Sequence, residues 1–169
     1  TAVIRGARPR SLGVAFDIGT TTIAAYLCDL ATGQVLSAAS SANPQRRYGE
    51  DVISRIAFAN ERPDGLAALQ TLVVDEMNGL IGQCVETAGA GREDVDEVTV
   101  VGNPTMEQLF CGLHPNSIGF SPYLPVARVP PDMTARELGL DLHPAVNVHV
   151  FPMISGFVGG DTMGAIMAD

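Results

Sequence analysis

Residues 14–23, Val-Ala-Phe-Asp-Ile-Gly-Thr-Thr-Thr-Ile, leave this chain little conformational choice. Val14, Phe16 and Ile18 set apolar side chains at every second position, and Ile23, Ala25 and Leu27 resume the alternation after a polar interruption. Two period-two runs joined through Gly19-Thr20-Thr21-Thr22 predict a β-hairpin with one buried face. Gly19 allows a sharp turn and puts no side chain in the way of a ligand. Thr20, Thr21 and Thr22 add hydroxyls and successive backbone N–H groups, a lining suited to phosphate oxygens. Asp17, at the strand end, is a candidate to hold a hydrated Mg2+, a cation usually bound through few carboxylates and several waters. The plainer alternative is an ordinary hairpin with a polar turn.

After the hairpin, Thr32-Gly33 predicts a turn into a third strand over 34–38, giving an antiparallel meander. Residues 40–50 read as a polar loop. A helix is expected from Asp51, with Val52, Ile53, Ile56 and Ala57 on its apolar side and Glu50 or Asp51 as its cap. Asn43 and Gln45 sit in the loop before it. A longer helix follows Pro63-Asp64. Leu66, Leu69, Leu72, Val73, Met77, Leu80, Ile81, Cys84 and Val85 recur there at three- and four-residue spacing, with Gly89 as the stop. Residues 98–101 predict a buried strand that ends in Gly102-Asn103-Pro104-Thr105 and a short helix. Residues 113–137 read as irregular and proline-rich, with a helical turn near 134–138. A last strand is expected over 146–151, followed by a glycine-rich junction and a helix over 163–167. Hairpins followed by alternating helices and strands predict an α/β lobe.

The second acidic element is Gly159-Gly160-Asp161-Thr162. Placed between a strand and a helix, it offers free N–H groups and a helix dipole to an anion, with Asp161 able to orient water or Mg2+. Asp17 and Asp161 at the ends of strands of one sheet would suit phosphoryl transfer, where positioning and charge compensation carry most of the catalysis. Asn103 and Thr105 stand at a strand-to-helix junction, where a ligand contact and a simple cap are equally good readings.

Other chemistries find little support. The net charge of −9 and the absence of a basic cluster argue against a nucleic-acid surface. No run approaches the roughly 18 apolar residues of a membrane span. The three cysteines, Cys28, Cys84 and Cys111, are far apart in apolar segments and read as reduced core thiols of a cytoplasmic protein. His114, His143 and His149 have no metal-ligand spacing.

The Asp17-Ile18-Gly19-Thr20-Thr21-Thr22 hairpin resembles the first phosphate motif of the acetate and sugar kinase, heat-shock chaperone and actin superfamily (ASKHA). Further segments in order resemble one branch of it, the ATP-dependent reductive activators of corrinoid proteins. They are Asn43-Pro44-Gln45 with the run from Tyr48 to Ile56, Val101-Gly102-Asn103-Pro104-Thr105-Met106 with Leu109-Phe110, and Ser121-Pro122-Tyr123-Leu124-Pro125. Ala135-Arg136-Glu137-Leu138-Gly139-Leu140 and the run from Ile154 to Asp161 complete the set.

The resemblance implies an actin-like, ribonuclease H-like lobe over 12–169, with 1–11 a linker or tail and the chain truncated at the start of the second lobe. It implies ATP/ADP and Mg2+ as ligands, with Gly19, Thr20, Thr21, Thr22, Asn103, Gly159 and Gly160 at the phosphates and Asp17 and Asp161 as catalytic residues. It implies a [2Fe-2S] cluster in a separate N-terminal domain that this chain does not contain. The implied partner is a corrinoid protein or corrinoid-dependent methyltransferase, whose Co(II) is reduced to Co(I) at the expense of ATP; a homodimer is left open. Pro104 stands where the family usually has threonine. The isolated lobe is expected to be inactive. Two other readings stay open: a small-molecule kinase of the same superfamily with Asp161 as general base, and a non-catalytic nucleotide-binding scaffold lobe.

Overall fold

The computed structural model describes residues 10–130, 132–153 and 158–162. The predicted meander is present as β1 (Leu12–Ile18), β2 (Thr22–Asp29) and β3 (Val35–Ala42), paired antiparallel. β3 runs four residues further than the sequence suggests. Its tail, Ala39-Ser40-Ser41-Ala42, has no apolar alternation to announce a strand, yet it faces unpaired groups of β2 with Thr22 opposite Ala42. A backbone already beside a strand saturates its polar groups by joining the ladder.

Helices α1 (Val52–Glu61) and α2 (Gly65–Thr87) follow, then β4 (Val95–Gly102), α3 (Pro104–Phe110), the short α4 (Asn116–Gly119), β5 (Met133–Thr134), α5 (Ala135–Leu138) and β6 (Asn147–Val150). The six strands form one mixed sheet in the order β3-β2-β1-β4-β6-β5. β1, β4 and β6 run parallel, and β5, which the sequence does not signal, pairs antiparallel at the edge through two residues. This is the α/β lobe with a mixed sheet and flanking helices that the resemblance implies. Among the described residues no helix is long and apolar enough to cross a membrane.

One face of the sheet carries the core. Val14, Phe16 and Ile18 of β1, Ile23, Ala25 and Leu27 of β2, and Val98 and Val100 of β4 are buried against α2, which lies over β2 and β3. Of the apolar stripe predicted for α2, Leu69, Val73, Met77, Leu80, Ile81, Cys84 and Val85 are buried, while Leu66 and Leu72 are half-buried. It stops at Gly89, whose φ of +60° suits glycine. The Gly89 amide donates to Glu86 O and the Ala90 amide to Val85 O, closing the last carbonyls of the helix.

Three expectations need correction. α1 turns Arg55, Ile56 and Ala59 inward with Val52 half-buried against the core, but Ala57 is exposed and Ile53 is 60% exposed. The helix rotates because Arg55 finds buried acceptors, described below. Asn43 and Gln45 are buried structural residues, not loop residues: Asn43 caps a 3-10 turn over Pro44–Arg47. Cys28 is only half-buried, because it falls on the β2 face opposite Leu27, whereas Cys84 and Cys111 are in the core; all three are free. The cap expected at Glu50 or Asp51 is Asp51, which accepts from Ser54 N, and the helical turn near 134–138 is closed by a capping box between Thr134 and Glu137. Asp64 occupies the cap position of α2 without a side-chain cap bond. The helix expected over 163–167 and the tail over 1–9 lie outside the described residues.

Leu80 is fully enclosed between α2 and the sheet. Leu80→Ala is expected to destabilise the fold by about 2–5 kcal/mol, the usual range for a buried leucine truncation, read as a shift in the urea midpoint.

Candidate functional site

The carboxyl ends of parallel strands are where an open α/β sheet leaves a crevice. Here β1 and β4 end side by side, with Ile18 in register with Gly102. Three segments meet at that edge: the turn over 18–22, the β4–α3 junction over 102–105, and residues 158–162.

The turn is tight. The Gly19 amide donates to Thr22 O at 2.9 Å, and a Cβ on Gly19 would lie 2.7 Å from that same oxygen. Glycine is therefore required by close approach of backbone to backbone. Behind the turn, Asn43 Nδ2 donates to Gly19 O at 2.8 Å, and the Asn43 amide donates to Thr21 O at 2.8 Å. The remaining carbonyl, Thr20 O, accepts from Arg55 Nη2 at 2.5 Å. To one side, Asn103 Nδ2 donates to Thr20 Oγ1 at 3.0 Å.

Asn103 is the helix cap that is one of its two readings, and it also bonds the phosphate-type turn. Its Oδ1 accepts from Met106 N and caps α3, while its amide nitrogen pins the threonine. Pro104 sits at the first position of that helix, where a missing N–H costs nothing. Thr105 is buried below the junction.

Glu107 is the residue that sequence reasoning missed. It is fully buried on α3, and its Oε1 accepts from both Gly102 N at 3.1 Å and Gly160 N at 2.9 Å. Its Oε2 is enclosed with no hydrogen-bond partner among the described residues. One carboxyl thus ties the end of β4 to the start of the last helix. Burial pushes its pKa up to about 8 against the stabilising pull of the two amides, and Asp161 pushes the same way. The sequence held no signal for this, since a glutamate in a short amphipathic helix reads as solvated.

Glu107 also changes the part played by the glycines. The Gly160 amide is bonded to Glu107 and is not free for a phosphate. A Cβ on Gly160 would strike Glu107 Oε1 and lie 2.7 Å from Phe151 Cβ. A Cβ on Gly159 would strike the Gly102 carbonyl and lie 2.8 Å from Asn103 Cα. Close packing, not ligand access, accounts for both glycines. The Thr162 amide is likewise taken, by Asp161 Oδ1 at 2.7 Å.

The packing carries Asp161 to Asp17. Both side chains keep solvent contact. Partial loss of hydration at the sheet end, and then the neighbouring Asp161 carboxylate, raise the Asp17 pKa. Asp17 and Asp161 are two carboxylates open to solvent beside a polar turn, oxygen donors of the kind a hydrated divalent cation takes. Among the described residues no group of three or more His, Cys, Asp or Glu side chains is placed to hold a metal ion directly. The histidines serve elsewhere: His114 contacts Ala59 O, His143 Nδ1 accepts from Ala145 N, and His149 packs edge-on against Phe151.

The Glu107 carboxyl gives a pH prediction. A folded-state pKa raised from 4.5 to about 8 contributes stability that is fully present below pH 4.5 and is lost as pH rises through about 8. Glu107→Gln keeps an oxygen for the two amides and removes the ionisation. Thermal melts across pH 4–9 should show a decline for the wild type and a flatter profile for the variant. The part due to Asp17 remains in both.

Comparison with known proteins adds the family. A family model described as "RACo middle region" matches residues 12–169. The chain is 34% identical over 155 residues to "Corrinoid activation enzyme RamQ" of Eubacterium limosum, covering 92% of this chain and 26% of that protein. A solved structure described as "Reductive activator for corrinoid,iron-sulfur protein" superposes with a TM-score of 0.92 at 36% identity. It covers 96% of this chain and 26% of its own. This chain therefore spans about a quarter of the length of these relatives.

Proposed function

From a chain that belongs to the RACo middle-region family, we propose a phosphate-holding lobe of an ATPase that drives reduction of a corrinoid protein from Co(II) to Co(I). The carrying observation is the meeting of the 19–22 turn, the Asn103 junction and the Asp17–Asp161 pair at one end of the sheet. It agrees with what the two named relatives are described as doing.

In this reading Thr20, Thr21 and Thr22 meet the phosphates of ATP through their amides and hydroxyls. Asn103 fixes the Thr20 hydroxyl, and Gly159 and Gly160 serve by letting Asp161 approach the β4 end. Asp17 holds Mg2+ through water, with Asp161 orienting water or the hydrated ion; the cation would compensate phosphate charge. Nucleotide must bind one conformation of the whole protein better than another to drive an uphill electron transfer. The electron would come from a [2Fe-2S] domain elsewhere in the protein. The three free thiols fit a reducing compartment, the cytoplasm.

The test uses the full-length protein, a reductant and a Co(II) corrinoid protein, with the visible spectrum followed for Co(I). MgATP should be required, and Asp17→Ala should lower the rate by on the order of 100-fold, the size expected when a preorganised electrostatic group is removed. ATP turnover without any effect on cobalt would overturn the corrinoid assignment.

A further inference from the structure

Arg55 is the largest fully buried side chain described, and the carboxylates of Glu50 and Asp51 act on its charge only from a distance. Among the described residues it makes no ion pair. Its donors go to neutral acceptors instead: Nε to Gly49 O at 2.9 Å, Nη1 to Gln45 Oε1 and Met106 Sδ at 3.1 Å each, and Nη2 to Thr20 O at 2.5 Å. Burial lowers its pKa only to about 10, so it remains a cation at neutral pH. An unpaired buried charge is costly and invites a functional explanation.

The explanation lies in the direction of the peptide planes. A trans peptide points its N–H opposite to its C=O. Gly19 O and Thr21 O are held from behind by Asn43, and Thr20 O by Arg55. The partner N–H groups of those three peptides belong to Thr20, Thr21 and Thr22, and each faces away from the group that holds its carbonyl. Arg55 reaches the middle carbonyl, the one a hairpin turn most readily flips. The Gln45 carboxamide in turn holds Arg55 Nη1, and its Nε2 is anchored to Leu69 O at 3.0 Å.

We propose that Arg55, braced by Gln45 and acting beside Asn43, is a positioning residue that fixes the Thr20–Thr21 peptide with its N–H toward the nucleotide phosphates. Arg55 touches no phosphate itself; it acts through the Thr20 carbonyl, which it holds from the side opposite the Thr21 N–H. The assignment rests on the nucleotide reading above.

The test is calorimetric titration of MgATP and of AMP into full-length wild type, Arg55→Met and Arg55→Lys, with circular dichroism to establish folding. Arg55→Met should weaken ATP about tenfold or more, in line with loss of a charged hydrogen bond, and leave AMP within twofold. Arg55→Lys keeps the charge without the planar fork and should fall between. Should Arg55→Met fail to fold, Arg55→Lys decides alone by the same ATP-against-AMP comparison. Folded variants that bind ATP as wild type does, equal losses for ATP and AMP, or full rescue by lysine would each overturn the positioning role. A wild type that binds no ATP would overturn the nucleotide reading itself and this assignment with it, an outcome distinct from the others.

Discussion

The guanidinium of Arg55 joins four separate parts of the fold at one buried point. Its donors reach the phosphate-type turn at Thr20, the segment before α1 at Gly49, the 3-10 turn at Gln45 and helix α3 at Met106. In a dry interior each of those acceptors needs a donor, and one planar cation satisfies several at once. α1 is rotated to deliver it, which leaves Ile53 exposed on the outer side. An apolar residue is surrendered to solvent because unsatisfied backbone acceptors would cost more.

Glu107 works in the same manner on the other side of the junction. It holds the ends of β4 and of the 158–162 segment through two amides and excludes water from itself. Arg55 and Glu107 lie on neighbouring helices and both touch the β-sheet edge through backbone groups, not through each other. Between them the turn, Asn103 and Asp161 are placed without any of the exposed residues having to hold itself in position. That division suits a binding site, whose outward groups should stay free for a ligand while buried ones supply rigidity.

The chain spans about a quarter of the length of the two named relatives. On the proposed reading, the lobe would be one part of a larger ATPase.

Local pattern was enough for the hairpin, the long helix and the start of α1. Each rests on local periodicity or on a local cap: the alternation through Val14, Phe16 and Ile18, the three-four spacing through Leu69 and Met77, and the Asp51 cap. It also marked Asp17, Asn103 and Asp161, because polar residues ending apolar runs stand out. Only the tertiary structure decided how those marks are used. Gly160 turned from a phosphate donor into a partner of Glu107, Asn43 turned from a polar loop residue into a buried anchor, and Arg55, which no local pattern had marked, became one as well. The physical reason is that a buried polar group is defined by its partner. Those partners lie 24 to 53 residues away along the chain, beyond the reach of any local pattern.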